Sequence, residues 1–305
     1  MQKGSSCDEI YLRGEFAMDK ILVTGAAGFF ASRFCEYYKD KYEIIPLKRN
    51  DLDIRDENKV VNVIKNIKPN YVLHTAAIAD TGKCEQDKET SYDINVLGSR
   101  NIAKGCSLSG AKLIQLSTEQ LFNGNTEEGP YSEDVKPVPN TTYGAHKLMA
   151  EDEIKKILEE AYILRLTWMF GFPERFKKVN ANIIWNVMKA ALSNSIMKIP
   201  VNEYRGMTYV YDLIDNIPKI MELPYGTYHT GSENNFSTYD IAEHVVKELG
   251  LSYRIKDIIQ KDEDKFKEYA RDLRVSNSKL KSFGVVFADT KEAVSNCIND
   301  FSYKV

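Results

Sequence analysis

Histidine and cysteine are scarce in this sequence and never cluster. His74, His146, His229 and His244 stand far apart, and Cys7, Cys35, Cys84, Cys106 and Cys297 are odd in number with no Cys-x-x-Cys pair. That dispersal gives a metal site no support and argues for reduced thiols over a disulfide framework. No apolar run is long enough to span a bilayer, and the first residues, Met1-Gln-Lys-Gly-Ser-Ser-Cys-Asp-Glu9, lack the hydrophobic segment of a secretory signal. The expected location is therefore the cytoplasm, with no membrane partner. Charge of one sign does not accumulate either: a net of -3 over 305 residues gives no hint of nucleic acid. What remains is 43% hydrophobic and 28% charged, an ordinary composition in a chain long enough to bury a large core without staples. Residues 1–17 are polar and pattern-free and read as a loose extension, with the fold beginning at Met18.

The stretch Lys20-Ile-Leu-Val-Thr-Gly-Ala-Ala-Gly-Phe-Phe-Ala31 predicts a strand, a turn and a helix. Gly25 permits a sharp turn, Gly28 lets backbone N–H groups approach a ligand, and Ala31 is small enough for the helix to pack on the strand. The start of that helix favours an anion such as a pyrophosphate. The spacing is Gly-x-x-Gly-x-x-Ala and not Gly-x-Gly-x-x-Gly, so a tight turn without a ligand remains open at this point. A second strand is expected over 42–47, with Pro46 at its end because proline cannot donate to a ladder. Asp56 caps a helix carrying Val60, Val61, Ile64 and Ile67 as far as Pro69. A strand over 71–74, a long helix over 90–109 stopped by Gly110, a strand over 111–116, a loop over 123–140, a helix with Leu148, Ile154, Ile157 and Leu158, and a strand over 162–166 follow. This alternation predicts an α/β fold, a doubly wound parallel sheet with ligands beyond the carboxyl ends of its strands.

After Phe170 the rhythm changes. A helix carries Ile183, Ile184, Val187, Met188 and Ala191, a short strand falls at 227–230, and Ser237 with Asp240 opens another helix. Asp289 with Glu292 forms a capping box for the last helix. Residues 18–170 are thus expected to form the first domain, to which the chain returns around 207–222, and residues 171–305 a smaller α/β substrate lobe.

Tyr143-Gly-Ala-His-Lys147 places a phenol and an ammonium on one helical face. For the phenol to work near neutrality its pKa must fall from about 10, at a cost of about 4 kcal/mol. A positive charge about 4 Å away at an effective dielectric of about 20 supplies roughly that much. Ser117 and Thr118 end the fourth strand, where a hydroxyl can bond a substrate carbonyl or merely cap the strand. Glycine turn, strand-end hydroxyl and Tyr-x-x-x-Lys together resemble the extended short-chain dehydrogenase/reductase superfamily, with its Rossmann-type sheet, from Met18 nearly to the end of the chain.

Within that superfamily the sequence resembles dTDP-4-dehydrorhamnose reductases. Asp51-Leu-Asp-Ile54 is similar to the adenine-contacting segment, Thr75-Ala-Ala77 to the segment along the cofactor, and Ile94-Asn95 to the Asn-containing helix. Ser117-Thr-Glu-Gln-Leu-Phe-Asn-Gly124 resembles Ser-Thr-Asp-Tyr-Val-Phe-Asp-Gly. Arg165-Leu-Thr-Trp168, Asn202-Glu-Tyr-Arg-Gly-Met-Thr-Tyr209 and Arg271-Asp-Leu-Arg274 match sugar- and diphosphate-side segments. The resemblance implies Thr118, Tyr143 and Lys147 as the catalytic trio. It implies Gly25, Gly28, Phe29, Phe30, Asp53, Ile54, Ala76, Ala77, Ile78, Asn95 and Ser117, with Tyr143 and Lys147, along the cofactor. It places Thr118, Glu119, Gln120 and Trp168 on the substrate, with Arg205 and Arg271 as diphosphate partners. Lys48 and Arg49, after the second strand, favour the 2′-phosphate of NADPH, with NADH as the alternative.

Several residues depart from the family pattern. Glu119-Gln120 replaces Asp-Tyr, Met207 replaces a proline, Ile78-Ala-Asp-Thr-Gly82 stands where His-Thr-Ala-Val-Asp is usual, and Gly28-Phe-Phe-Ala31 is closer to sugar-nucleotide epimerases. The expected function is reduction of a 4-keto-deoxysugar nucleotide, as in dTDP-L-rhamnose synthesis. An NAD-dependent epimerase or dehydratase, and a non-catalytic cofactor-binding subunit like the beta subunit of methionine adenosyltransferase, stay open. The expected partner is a small-molecule nucleotide sugar, with a homodimer allowed for.

Overall fold

Along the first strand, β1 (Lys20–Thr24), alternate side chains enter two different cores. Ile21 and Val23 pack into one, Leu22 into the other. The strands β3 (Tyr71–His74), β4 (Lys112–Thr118) and β5 (Ala161–Leu166) do the same: Leu73, Ile114 and Leu164 point to the first core, Val72, Leu113 and Ile163 to the second. A sheet covered on both faces needs apolar side chains at successive positions, which is why these strands read as largely apolar runs, interrupted within by Gln115 in β4 and Arg165 in β5. The computed structural model describes residues 18–301; the extension expected over 1–17 lies outside them.

The helices that cover the faces are α1 (Phe29–Tyr37), α2 (Glu57–Ile67), the short α3 (Thr81–Gln86) and α4 (Lys88–Tyr92), α5 (Gly98–Ser109) and α6 (Thr142–Ile157). Asp56 caps α2 by accepting from Lys59 N at 3.0 Å. The helix expected over 90–109 begins earlier and is interrupted: α4 runs into a π-helical turn at Asp93–Leu97 before α5, and Gly110 at φ 74 ends it as expected. The strand β2 (Glu43–Leu47) contains Pro46, paired with Val23, instead of ending at it. This is tolerated because β2 is an edge strand, where the missing donor faces away from the sheet.

Beyond β6 (Trp168–Phe170) and α7 (Ile183–Ser193) come β7 (Met197–Pro200), β8 (Glu203–Tyr204), β9 (Met207–Tyr209), α8 (Val210–Ile220), β10 (Gly226–Thr230) and α9 (Thr238–Glu248). Then follow α10 (Ile255–Ile258), β11 (Ile259–Asp262), β12 (Arg271–Asp272), α11 (Ser278–Ser282) and α12 (Thr290–Asp300). Ser237 and Asp240 form the expected capping box on α9, and Asp289 caps α12 through Glu292 N at 2.9 Å. Three small parallel pairs, β6 with β9, β7 with β11 and β8 with β12, stand outside the main sheet.

The strand at 226–230, expected in the smaller lobe, belongs instead to the main sheet. It lies beside β5, giving the all-parallel order β10-β5-β4-β3-β1-β2. Its polar composition concealed a place at the edge of the main sheet that bonds from a distant loop make possible: buried His229 reaches Tyr131 O at 3.1 Å through Nδ1, and its backbone N–H donates to Glu133 at 2.8 Å. The order reverses between β1 and β3, so the crevice for a ligand opens past their carboxyl ends. No helix of the described residues is long and apolar enough to cross a membrane.

Asp212, in the first turn of α8, gives the fold a pH dependence. Burial, with the Asp215, Asp300 and Glu292 carboxylates adding to it, pushes its carboxyl up to about 6, and its Oδ2 is buried with no hydrogen-bond partner among the described residues. An unfolded chain releases that proton near pH 4, so between about pH 4 and 6 the folded state holds more protons and stability falls as pH rises. At a partly exposed site the penalty is about 1 kcal/mol. Asp212→Asn is therefore expected to gain on the parent by about that much between pH 4 and 6 in urea unfolding. A stability gap that does not change with pH would show that Asp212 carries no such penalty.

Candidate active site

Gly25, at φ 67, turns the chain at the end of β1. A Cβ there would sit 2.8 Å from the backbone of Ala76, so only glycine lets the turn lie against the segment after β3. Gly28 N donates to Gly25 O at 2.8 Å and Gly28 is the N-cap of α1. Phe29 and Phe30 are buried, the Phe29 ring lying 4.2 Å under the Arg33 guanidinium, so it is their backbone that faces the turn. Thr24 Oγ1 meets His74 Nδ1 at 2.6 Å, and His74 Nε2 lies 3.3 Å from Ser99 Oγ. Burial, with the charge of Lys147 adding to it, pushes His74 down to about 3 and keeps it neutral. That lacing of β1 to β3 had no signal in the sequence beyond an isolated histidine.

At the end of β2, Lys48 and Arg49 are exposed. Lys48 N donates to Asp51 Oδ2 at 2.8 Å. Asp53 is bridged by Arg55, whose hydrogen bonds hold its carboxyl at about 2. Ile54 is buried against Gly98, where a Cβ would come 2.6 Å from its Cδ1. Ala76, Ala77 and Ile78 line the segment after β3, and Asn95 clamps Ile78 from both sides: Oδ1 accepts from Ile78 N at 2.9 Å and Nδ2 donates to Ile78 O at 3.0 Å. Asn95 sits on the π-helical turn, a distortion frequent at functional sites.

Tyr143 and Lys147 both lie on α6, whose N-cap Thr141 accepts from Gly144 N at 3.1 Å. A Cβ on Gly144 would meet Gln120 O at 2.7 Å, so the first turn of α6 rests directly on the segment after β4. The two side chains then diverge. Tyr143 turns to Thr118, while Lys147 Nζ donates to Leu116 O at 2.6 Å. The expectation that Lys147 depresses the phenol is overturned. Burial raises Tyr143 and the Glu119 carboxylate adds to it, against hydrogen bonding to Thr118 and the charge of Arg205. Burial also lowers Lys147, to about 8. Ser117 does not present its hydroxyl to the crevice, because it donates to Glu151 Oε1 at 2.6 Å, in a buried pair of Glu151 with Arg165 at 2.8 Å.

Thr118, Glu119, Gln120, Trp168, Arg205 and Arg271 are brought together. Arg205 pairs with Glu119 and stacks 4.9 Å over the Trp168 ring. Arg271 reaches Gln120 Oε1 at 2.8 Å, Asn123 Oδ1 at 3.0 Å and Glu203 Oε1 at 2.9 Å. Neither arginine is an uncompensated cation awaiting a diphosphate, since each already faces a carboxylate. Asn123 and Glu203 were missed as site residues although they lie inside the matched segments 117–124 and 202–209, and that membership is the signal that could have found them.

A glycine turn on a doubly wound sheet, with a strand-end threonine against the tyrosine of Tyr-x-x-x-Lys, defines the short-chain dehydrogenase/reductase superfamily. The family model described as RmlD substrate binding domain matches residues 18–303, and the chain belongs to that family. The spore coat polysaccharide biosynthesis protein SpsK of Bacillus subtilis is 29% identical over 239 residues, covering 78% of this chain and 82% of that protein. The crystal structure of a dTDP-4-dehydrorhamnose reductase from Clostridium acetobutylicum is 26% identical with a TM-score of 0.83, covering 93% of this chain and 99% of that one. One from Bacillus anthracis in complex with NADP shares the fold at a TM-score of 0.81 and 24% identity, again over 93% and 99% of the two chains.

Proposed function

We propose that this protein reduces the 4-keto group of a deoxysugar nucleotide of the dTDP-4-dehydrorhamnose type with NADPH. The observation that carries the reading is the buried contact of Tyr143 with Thr118 at the carboxyl end of β4, beside the glycine turn. The cradle fits the cofactor: Gly25 and Gly28 put no side chain over the start of α1, and a Cβ at 25 would meet the backbone of Ala76. When bound, NADPH supplies the hydride. Tyr143 gives its phenolic proton to the substrate oxygen, and its raised pKa keeps that proton in place at neutral pH, which suits a donor in reduction. Thr118 Oγ1 orients the carbonyl, Lys147 brings a buried ammonium, and Asn95 positions the Ile78 backbone along the cofactor. Residues 18–170 with the returning segment 207–230 would hold the cofactor and the rest of 171–301 the sugar. The unpaired state of the four described cysteines supports a cytoplasmic setting.

Purified protein mixed with dTDP-4-dehydrorhamnose is expected to consume NADPH in step with the sugar. Turnover of the sugar without net loss of NADPH would replace the reductase reading with an epimerase. Thr118→Val removes one hydrogen bond to the reacting oxygen and is expected to lower kcat by about 10-fold or more. Unchanged kcat and KM in steady-state assays would return Thr118 to a strand cap.

A further inference from the structure

Arg205, which the family resemblance casts as a diphosphate partner, stands between β8 and β9. Its side chain is held twice, by the ion pair to Glu119 and by the Trp168 ring. The backbone around it is fixed too: Asn234 Nδ2 donates to Arg205 O at 2.8 Å, and Trp168 N donates to Gly206 O at 3.2 Å. Yet Arg205 Nε is buried with no hydrogen-bond partner among the described residues. An unpaired buried donor on a charged group is costly, and an acceptor brought by a ligand removes that cost.

Charge and position decide which acceptor. Glu119, 2% exposed, neutralises Arg205, 11% exposed, so a diphosphate would meet a carboxylate as well as the cation. A neutral oxygen meets only a directed N–H. Glu119 directly follows Thr118, its Oε2 lying 3.5 Å from Thr118 Oγ1, which sets the pair beside the reacting carbonyl and not at the nucleotide end. Because the guanidinium covers the indole, a sugar meets the edge of Arg205 instead of a bare aromatic face.

Resting on the reductase reading, we propose that Arg205 is a specificity-determining residue of the sugar pocket. Its Nε donates to the hydroxyl on the carbon next to the reacting carbonyl, so the protein selects 4-keto sugar nucleotides that carry this hydroxyl over those deoxygenated there.

The test compares kcat/KM for dTDP-4-dehydrorhamnose and its 3-deoxy analogue in the parent, Arg205→Met and Arg205→Lys, with calorimetric binding of both sugars alongside. The parent is expected to prefer the hydroxylated sugar by on the order of 10²-fold. The preference falls to within about threefold in Arg205→Met and lies between in Arg205→Lys, which keeps the charge without the planar fork. Each ratio compares two substrates on one preparation, so an inactive fraction cancels. A parent without preference, or Arg205→Met with the parent's ratio, overturns the proposal. If the parent binds both sugars without oxidising NADPH, the reductase reading falls and the binding ratio alone decides the role of Arg205. A parent that binds neither overturns both.

Discussion

Tyr143→Phe is expected to lower kcat by about 10²-fold or more while NADPH affinity stays within about threefold of the parent. The substitution removes one hydroxyl and leaves a ring of nearly the same volume in a buried place, so the helix and its contacts with the strand end have no reason to move. What is lost is the proton. Burial and the Glu119 carboxylate hold the phenol protonated, and a group that is protonated in the ground state and aimed at the carbonyl oxygen can donate as negative charge develops there. Phenylalanine leaves Thr118 alone to meet that charge. Steady-state turnover with calorimetric titration of NADPH separates the two effects. Near-parent turnover would leave Tyr143 as a packed ring with no part in the chemistry.

The same residue shows what a sequence can and cannot tell. That Tyr143 and Lys147 share a helical face follows from their spacing, and the structure bears it out. The sign of the phenol's shift does not follow, because it is set first by burial and then by the Glu119 carboxylate, against Thr118 and Arg205, and both the burial and the Glu119–Arg205 pair arise only when distant parts of the chain meet. The strands β1, β3, β4 and β5 are legible because burial on both faces writes a largely apolar run. β10 reads as a short strand, but its place in the main sheet does not, since buried His229 takes its partners Tyr131 and Glu133 from elsewhere in the chain. The π-helical turn at Asn95 was equally hidden: Ile94-Asn95-Val96-Leu97 keeps a helical composition, and the Ile78 peptide that Asn95 clamps lies 17 residues away. Short-range spacing was readable, and pairings across the molecule were not.

Cofactor choice rests on charges that the fold leaves uncommitted, and there the expected effect is again large. NADPH is expected to bind more tightly than NADH by about 10- to 10²-fold, and Lys48→Glu with Arg49→Ser to abolish or reverse that preference. The carboxylates that could spoil a phosphate pocket are turned to other partners: Asp51 accepts from Lys48 N, and Asp53 is gripped by Arg55 through two guanidinium nitrogens. The side chains of Lys48 and Arg49 project into solvent just past β2, the strand end at which NAD-specific folds of this type place an acidic residue for the ribose 2′-hydroxyl. A 2′-phosphate would meet two cations there, and Arg49 can bond it through two nitrogens. Solvent exposure moderates the gain and makes it sensitive to salt, so the NADPH advantage should shrink between 50 mM and 500 mM salt while NADH affinity holds nearly constant. Calorimetry with both cofactors on both proteins at those two salt concentrations decides the matter. Equal affinities in the parent, or a preference for NADH, would mean that Lys48 and Arg49 are solvated loop charges that do not read the cofactor.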